Sequence, residues 1–299
     1  MLIGLHVVDF SWPGGPAGIR PTMERILQKA EEAGVHSLWP MDHLFQVPFN
    51  GAPDQPMLEA YTQLAWAAGR TERLQLGCLV TGVPYRPPGL VAKMVTTLDV
   101  LSGGRAWLGI GAGWFEEEAR GLGLRFPPLG ERFDELEEAV VVARRMFAGD
   151  RTPFAGARFQ LERPLNLPPP LRRVPILVGG AGERRTLRLV AEHADASNLF
   201  ESLGPEVLRR KLEILEGHCA AVGRPYEAIV RSTLGFLGTP SVDEAVERFG
   251  SLAELGFDLA MVDLPDPHGD SAFELLAEVI EQVGPLGRAV PAPLWPMTT

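Results

Sequence analysis

The stretch RAWLGIGAGWFEEE (105–118) ends an apolar run in three glycines, Gly109, Gly111 and Gly113, and then turns acidic. Their G-x-G-x-G spacing departs from the G-x-G-x-x-G dinucleotide fingerprint, and the chain continues into the helical ELEEAVVVARRMF instead of a second strand ending in an acid. What such glycines permit is steric: a turn, close helix packing, or room for a flat ring. A second cluster, Gly179, Gly180, Ala181 and Gly182, precedes the helical ERRTLRLVAEHA. Backbone N–H groups at a helix N-terminus, with no side chain in the way, suit a phosphate. Arg184 and Arg185 either add charge there or form a solvated face with Arg188. A third set is the Asp42, His43 pair that closes the apolar HSLWPM, where an imidazole can hold or move a proton near neutral pH. The plainer alternative for His43 is a ring satisfied by a backbone carbonyl. His6, within LIGLHVV, is a further candidate, whereas His36, His193, His218 and His268 read as helix-end or surface residues.

These groups need a frame, and the hydrophobic pattern predicts one. Strand-length apolar runs at 2–8, 36–41, 74–80, 105–111, 174–180, 195–200, 229–238 and 257–264 alternate with amphipathic helical runs, the rhythm of βα units and a parallel sheet. Ser241 and Glu244 fit a capping box, and Gly256 stands where a helix stop is expected. Eight such units predict an α/β fold of the (β/α)8 type, a TIM barrel, with chemistry at the C-terminal ends of the strands; a doubly wound open sheet is the alternative. The Pro- and Arg-rich segment 149–172 reads as an insertion before the fifth strand, with a short hairpin lying over one end of the barrel. The terminal AVPAPLWPM reads as an extended surface tail, and residues 1–299 as a single domain.

Composition narrows the partners. A formal charge of -10 argues against nucleic acid and anionic membrane, since neutralising phosphates needs clustered Lys and Arg. Two cysteines, Cys78 and Cys219, read as buried free thiols, and no H-x-H closes the first strand, so neither a disulfide framework nor a metal site is expected. The start MLIGLHVVDF lacks a positive region, and no apolar stretch reaches the ~18 residues of a membrane span, so a cytoplasmic protein is expected.

Five segments taken together, HSLWPMDHL, LGCLVTGVPYRPPGLVAK (76–93), LSGGRAWLGIGAGWFEEE, FPPLGERFDELEEA (126–139) and VGGAGERRTLRLVAEHADASNLF (178–200), resemble the luciferase-like monooxygenase superfamily. The similarity is greatest to its coenzyme F420-dependent oxidoreductase branch, the methylenetetrahydromethanopterin reductase-like proteins. The resemblance implies a barrel that holds F420, less often FMN, with its ring edge-on in the strand-end cavity beside Gly109, Gly111 and Gly113. It implies a phosphate at the loop after strand five, His43 and Asp42 near the cofactor, and a bulge with a non-prolyl cis peptide at Leu79–Val80 behind the ring. Sugar-phosphate dehydrogenases of this branch carry a tryptophan and a glutamate where this chain has Val47 and Trp114, so glucose 6-phosphate is not the expected substrate. Trp114 and His6 are instead expected to line a substrate pocket. The function implied is hydride transfer between deazaflavin and a small organic substrate. The alternatives are an FMN-dependent monooxygenase and a non-catalytic flavin-binding barrel; homodimers are expected by analogy with the family.

Overall fold

The computed structural model describes residues 1–238, 240–264, 266 and 269–286. Within them, numbered in chain order, eight parallel strands follow one another around a ring. They are β1 (Leu2–His6), β2 (Ser37–Leu38), β3 (Gln75–Gly77), β5 (Ala106–Gly111), β8 (Ile176–Gly179), β9 (Ala196–Phe200), β10 (Val230–Phe236) and β11 (Leu259–Asp263). β11 pairs back onto β1, and β3 with β5, so the sheet closes. A short segment β4 (Thr81–Gly82) continues β3 and pairs with β5. Outside lie the helices α1 (Gly15–Glu32), α2 (Ala60–Ala68), α3 (Pro88–Leu101), α4 (Glu116–Gly121), α5 (Leu129–Phe147), α6 (Thr186–His193), α7 (Pro205–Ala221), α8 (Val242–Leu255) and α9 (Ser271–Val283). The fold is the (β/α)8 barrel, and the open sheet is excluded by the β3–β5 pairing.

The helices bury the stripe their sequence supplies: in α1 the spacing of Met23, Ile26, Leu27 and Ala30 puts all four on the inner face. The capping box of Ser241 and Glu244 opens α8, and Gly256 ends it with a left-handed φ of 104°. Inside the barrel, Trp39 and Trp107 meet edge-to-face with centroids 5.9 Å apart, above Leu177, Val230, Leu259 and Met261. This interior is packed, as in barrels of this size.

Three expectations shift. The second strand is only two residues long, because Pro40 lacks the N–H to continue the ladder. The third, 74–80, is not one unbroken strand but is interrupted at 78–80 by the bulge and cis Leu79–Val80 peptide that the resemblance implied. The hairpin, β6 (Phe154–Ala155) with β7 (Gln160–Leu161), exists but lies against the helical layer and not over a barrel end. Its apolar Phe154 and Leu161 pack on Ala92, Val142 and Met146 of α3 and α5. Only the end of the insertion reaches the barrel, where Arg172 donates to the side chain of Gln75 at 2.9 Å, at the start of β3. The expected C-terminal tail and His268 lie outside the described residues.

Candidate active site

A cavity of about 1150 Å³ opens at the C-terminal ends of the strands. That volume lies above the ~300–1,000 Å³ of ordinary ligand pockets, enough for two molecules side by side. Leu79 and Val80, from the bulge, form part of its wall and rest on the tryptophan cluster beneath. Val80 also changes the reading of the glycines. A Cβ on Gly111 would lie 2.8 Å from Val80 Cγ2, and one on Gly179 would lie 2.9 Å from Val80 Cγ1. The glycines of β5 and β8 therefore make room for the valine, and the valine, together with Gly111 and Gly179, faces the cavity. Gly109 stands behind this wall, outside the cavity lining, where a Cβ would strike the Cys78 carbonyl at 1.9 Å. Its role in the structure is the close approach of β5 to the bulge, and the expected contact with a ring has no support from its position. Gly113 lines the cavity with φ 71°.

The loop Gly179–Gly180–Ala181–Gly182 forms the wall beside β5. Gly180 has φ 122°, which an L side chain rarely adopts, and its amide donates to the Asn198 carbonyl at 3.2 Å. Among the described residues, no protein acceptor takes the amides of Ala181 and Gly182, and Thr186 at the start of α6 borders the same space. The loop is thus a set of open donors at a helix N-terminus. Arg185 is spent elsewhere, on Glu137 at 2.9 Å and Asp134 at 2.8 Å in α5, and Arg188 pairs with Glu192. Arg184 is exposed.

His43 and Asp42 both line the cavity and differ in what holds them. Nδ1 of His43 lies 2.5 Å from Oε1 of Glu118, a fully buried carboxylate on α4. Glu118 also accepts from the Leu44 and Phe45 amides, at 2.6 and 3.1 Å, and from the Tyr85 hydroxyl. Burial pushes the Glu118 carboxyl up, but these bonds, His43's first, outweigh it and hold it below the ordinary value. The Tyr85 phenol is raised by burial and by Glu118, so it stays protonated and donates. With Nδ1 engaged, Nε2 is the ring nitrogen left without a partner among the described residues. Trp114 and Phe115 pack edge-on against the imidazole.

Asp42 is buried, and its Oδ2 accepts from Arg86 at 2.6 Å and from the Gly82 amide at 3.2 Å. Arg86 continues to Glu59 at 2.6 Å. Burial pushes the Asp42 carboxyl up to about 6 against the pull of Arg86. Through these bonds Asp42 braces the chain where it leaves the bulge, while its Oδ1 meets no partner among the described residues.

His6 and Trp114 border the same cavity. His6 is matched in register with Asp263 across the β1–β11 pair, and Nδ1 lies 2.5 Å from Asp263 Oδ1. Glu118, Tyr85, Arg86 and Asp263 were not singled out by sequence reasoning. Asp263 could have been, since an acid closes the apolar run FDLAMVDL at a strand end, as Asp42 does. Val47, at the position of the sugar-phosphate dehydrogenases' tryptophan, is buried with Val8, Met41 and Phe115. Cys78 and Cys219 are buried free thiols. Among the described residues there is no cluster of His, Cys, Asp and Glu able to hold a metal, and no helix long and apolar enough to cross a membrane.

The fold and site define a closed (β/α)8 barrel with a cavity and a glycine loop at the C-terminal ends of its strands, where such barrels place their ligands. The sequence matches the luciferase-like monooxygenase family over residues 5–253, and the chain belongs to that family. It is 33% identical over 186 residues to an F420-dependent glucose-6-phosphate dehydrogenase of Microbacterium testaceum, a match covering 61% of this chain and 53% of that protein. The chain thus spans about half the length of that curated relative. Among solved structures, an F420-dependent secondary alcohol dehydrogenase in complex with an F420-acetone adduct superposes with TM-score 0.81 at 18% identity, over 94% of this chain and 98% of that one. A type II Baeyer–Villiger monooxygenase component of Pseudomonas putida in complex with FMN superposes with TM-score 0.73 at 17% identity, over 97% and 99%. Both likenesses are of fold.

Proposed function

We propose that the protein is an F420-dependent oxidoreductase that transfers hydride between the deazaflavin and a small organic substrate. The observation that carries this reading is one cavity in which an apolar bulge wall, an open-amide glycine loop and a carboxylate-held histidine come together. The residues fit such a cofactor. Leu79, Val80, Gly111 and Gly113 would hold its ring, and the amides of Ala181 and Gly182, kept clear by Gly180, its phosphate. Bound F420 supplies a two-electron hydride donor or acceptor.

The protein's own contribution is position and a proton. Glu118 fixes the His43 ring, so Nε2 can give a proton to a substrate oxygen that gains electrons, or take one from a hydroxyl that loses them. Leu79, Val80 and Trp114 exclude water from the space beside it. Asp42 acts through the bulge it braces.

FMN remains the competing cofactor, since the same wall and loop would take a flavin and an FMN-bound monooxygenase shares the fold. Fluorescence titration of the purified protein with F420 and with FMN, side by side, is the test. Tighter binding of F420 is expected; a preference for FMN transfers the reading to the monooxygenase chemistry, and binding of neither ends it.

A further inference from the structure

We infer that the substrate is an uncharged molecule with an apolar, ring-like body and, besides the oxygen that His43 serves, one further polar group, which meets Nε2 of His6. The inference rests on the cofactor reading and names the substrate class of the same cavity.

The order of strands divides the cavity into halves. Counting round the ring of eight, β1 stands opposite β8 and β11 opposite β5. The His6–Asp263 pair therefore faces the glycine loop and Gly111 from across the barrel, on the half left to whatever lies against the cofactor.

The rim of this space is apolar and unusually bare. Phe49, Trp114, Leu129, Phe200 and Phe236 all belong to the cavity wall, yet each is more than half exposed, from 51% for Trp114 to 73% for Phe49. Phe49 and Trp114 stack with centroids 5.8 Å apart and planes 27° from parallel. Large aromatic surface left in water at a cavity mouth is recovered when an apolar ligand covers it.

Charge selects further. The wall carries the carboxylates Asp9, Asp42, Glu201 and Asp263. Among the described residues its arginine is Arg248, whose guanidinium is spent on Glu201 through bonds of 2.6 and 2.7 Å. Asp42 is paired with Arg86 and Asp263 with His6, which leaves Asp9 without a basic partner, so an anionic substrate would meet that carboxylate and, among the described residues, no free Lys or Arg in the wall.

A polar atom is held ready opposite the glycine loop. Nδ1 of His6 is committed to Asp263, while its buried Nε2 meets no partner among the described residues. A buried, unpaired ring nitrogen costs free energy until a ligand satisfies it. With the ring neutral and its Nδ1 proton on Asp263, Nε2 accepts from a hydroxyl; with the ring protonated, it donates to a carbonyl.

A matched pair of dyes tests the charge preference on cofactor-loaded protein: neutral N-phenyl-1-naphthylamine and its sulfonated analogue 8-anilino-1-naphthalenesulfonate. The neutral dye is expected to bind at least about tenfold tighter, and Trp114→Ala to weaken it by about fivefold or more. Equal or tighter binding of the sulfonate, or an unchanged affinity in Trp114→Ala, overturns the inference. For His6, competition by 2-naphthol and by naphthalene is compared in wild type and His6→Leu. The preference for the hydroxyl compound is expected to fall by about fivefold in the variant, and an unchanged ratio removes His6 as the polar contact. Failure of the cofactor reading registers separately, as no response to F420 or FMN, and the dye ratio then judges the wall by itself.

Discussion

Glu118 serves His43 as Asp263 serves His6: in each case a carboxylate 2.5 Å from Nδ1 fixes an imidazole that lines the cavity. Replacing His43 with Ala is expected to lower kcat by ~10² to 10⁴ while cofactor affinity, read by fluorescence, stays within about threefold. A loss of stability with no loss of turnover per folded molecule would return the residue to packing. Glu118→Gln tests the pair more finely. Losing the carboxylate weakens the hold on the ring, so kcat should fall while cofactor affinity stays within about threefold. The amide turns one of the two oxygens into a donor, leaving either the Leu44 and Phe45 amides or His43 and the Tyr85 hydroxyl without their acceptor, at a cost of ~1–3 kcal/mol in urea unfolding. His43 was legible because an imidazole at the end of an apolar strand is chemically conspicuous. Glu118 was not, because it is the third of three consecutive acids and only the direction of α4 distinguishes it from Glu116 and Glu117.

Elements divide the work between the two ends of the barrel. At the C-terminal end, the β8–α6 loop depends on the φ of 122° at Gly180. Gly180→Val should weaken F420 binding by at least about tenfold, through backbone strain of ~1–3 kcal/mol and an obstructed approach to the amides. Wild-type affinity in a variant that retains its circular dichroism would take the phosphate away from this loop. At the N-terminal end, Arg105 opens β5 buried, donating to the carbonyls of Ser102, Ala68, Thr71 and Leu74 and to the Thr71 hydroxyl, at 2.7–2.9 Å. Arg105→Met should therefore destabilise the fold by ~3–5 kcal/mol in urea unfolding and leave the cofactor Kd unchanged, since that end of a barrel carries stability and not chemistry. A shifted Kd would show that the two ends are coupled. The strand and helix pattern was readable because burial imposes its period on the sequence. The bulge was beyond composition and periodicity: LQLGCLV alternates no differently from an unbroken strand, and the cis peptide within it came from family resemblance alone. The purpose of Gly111 was half legible, since a strand-end glycine marks crowding, while the crowding atom belongs to Val80, 31 residues earlier.

On the scale of the whole molecule, two groups, the partly buried His36 and the buried Asp42, set opposing pH dependences. His36, just before β2, is held neutral down to about 3, by burial first and then by Arg172. The unfolded chain takes up that proton near 6.5, so between 6.5 and 3 the unfolded state binds more protons, and stability falls as pH falls. At full extent the loss is ~5 kcal/mol. Asp42 acts in the opposite sense. Its folded carboxyl keeps a proton up to about 6 and its unfolded one releases it near 3.8, so stability falls as pH rises through that window, by ~3 kcal/mol in all. The two slopes offset one another where the windows overlap, between 3.8 and 6. Asp42→Asn removes one side of this balance and should make the loss of stability from pH 6 to pH 4 steeper than in wild type. His36→Gln removes the other and should make it shallower. Urea unfolding free energies of the three proteins at pH 4, 5 and 6 measure the slopes, and the comparison between proteins cancels the contribution of the surface carboxylates they share. Parallel curves for wild type and Asp42→Asn would mean that Arg86 holds the carboxylate ionised throughout, with Asp42 a permanent anion in the cavity wall.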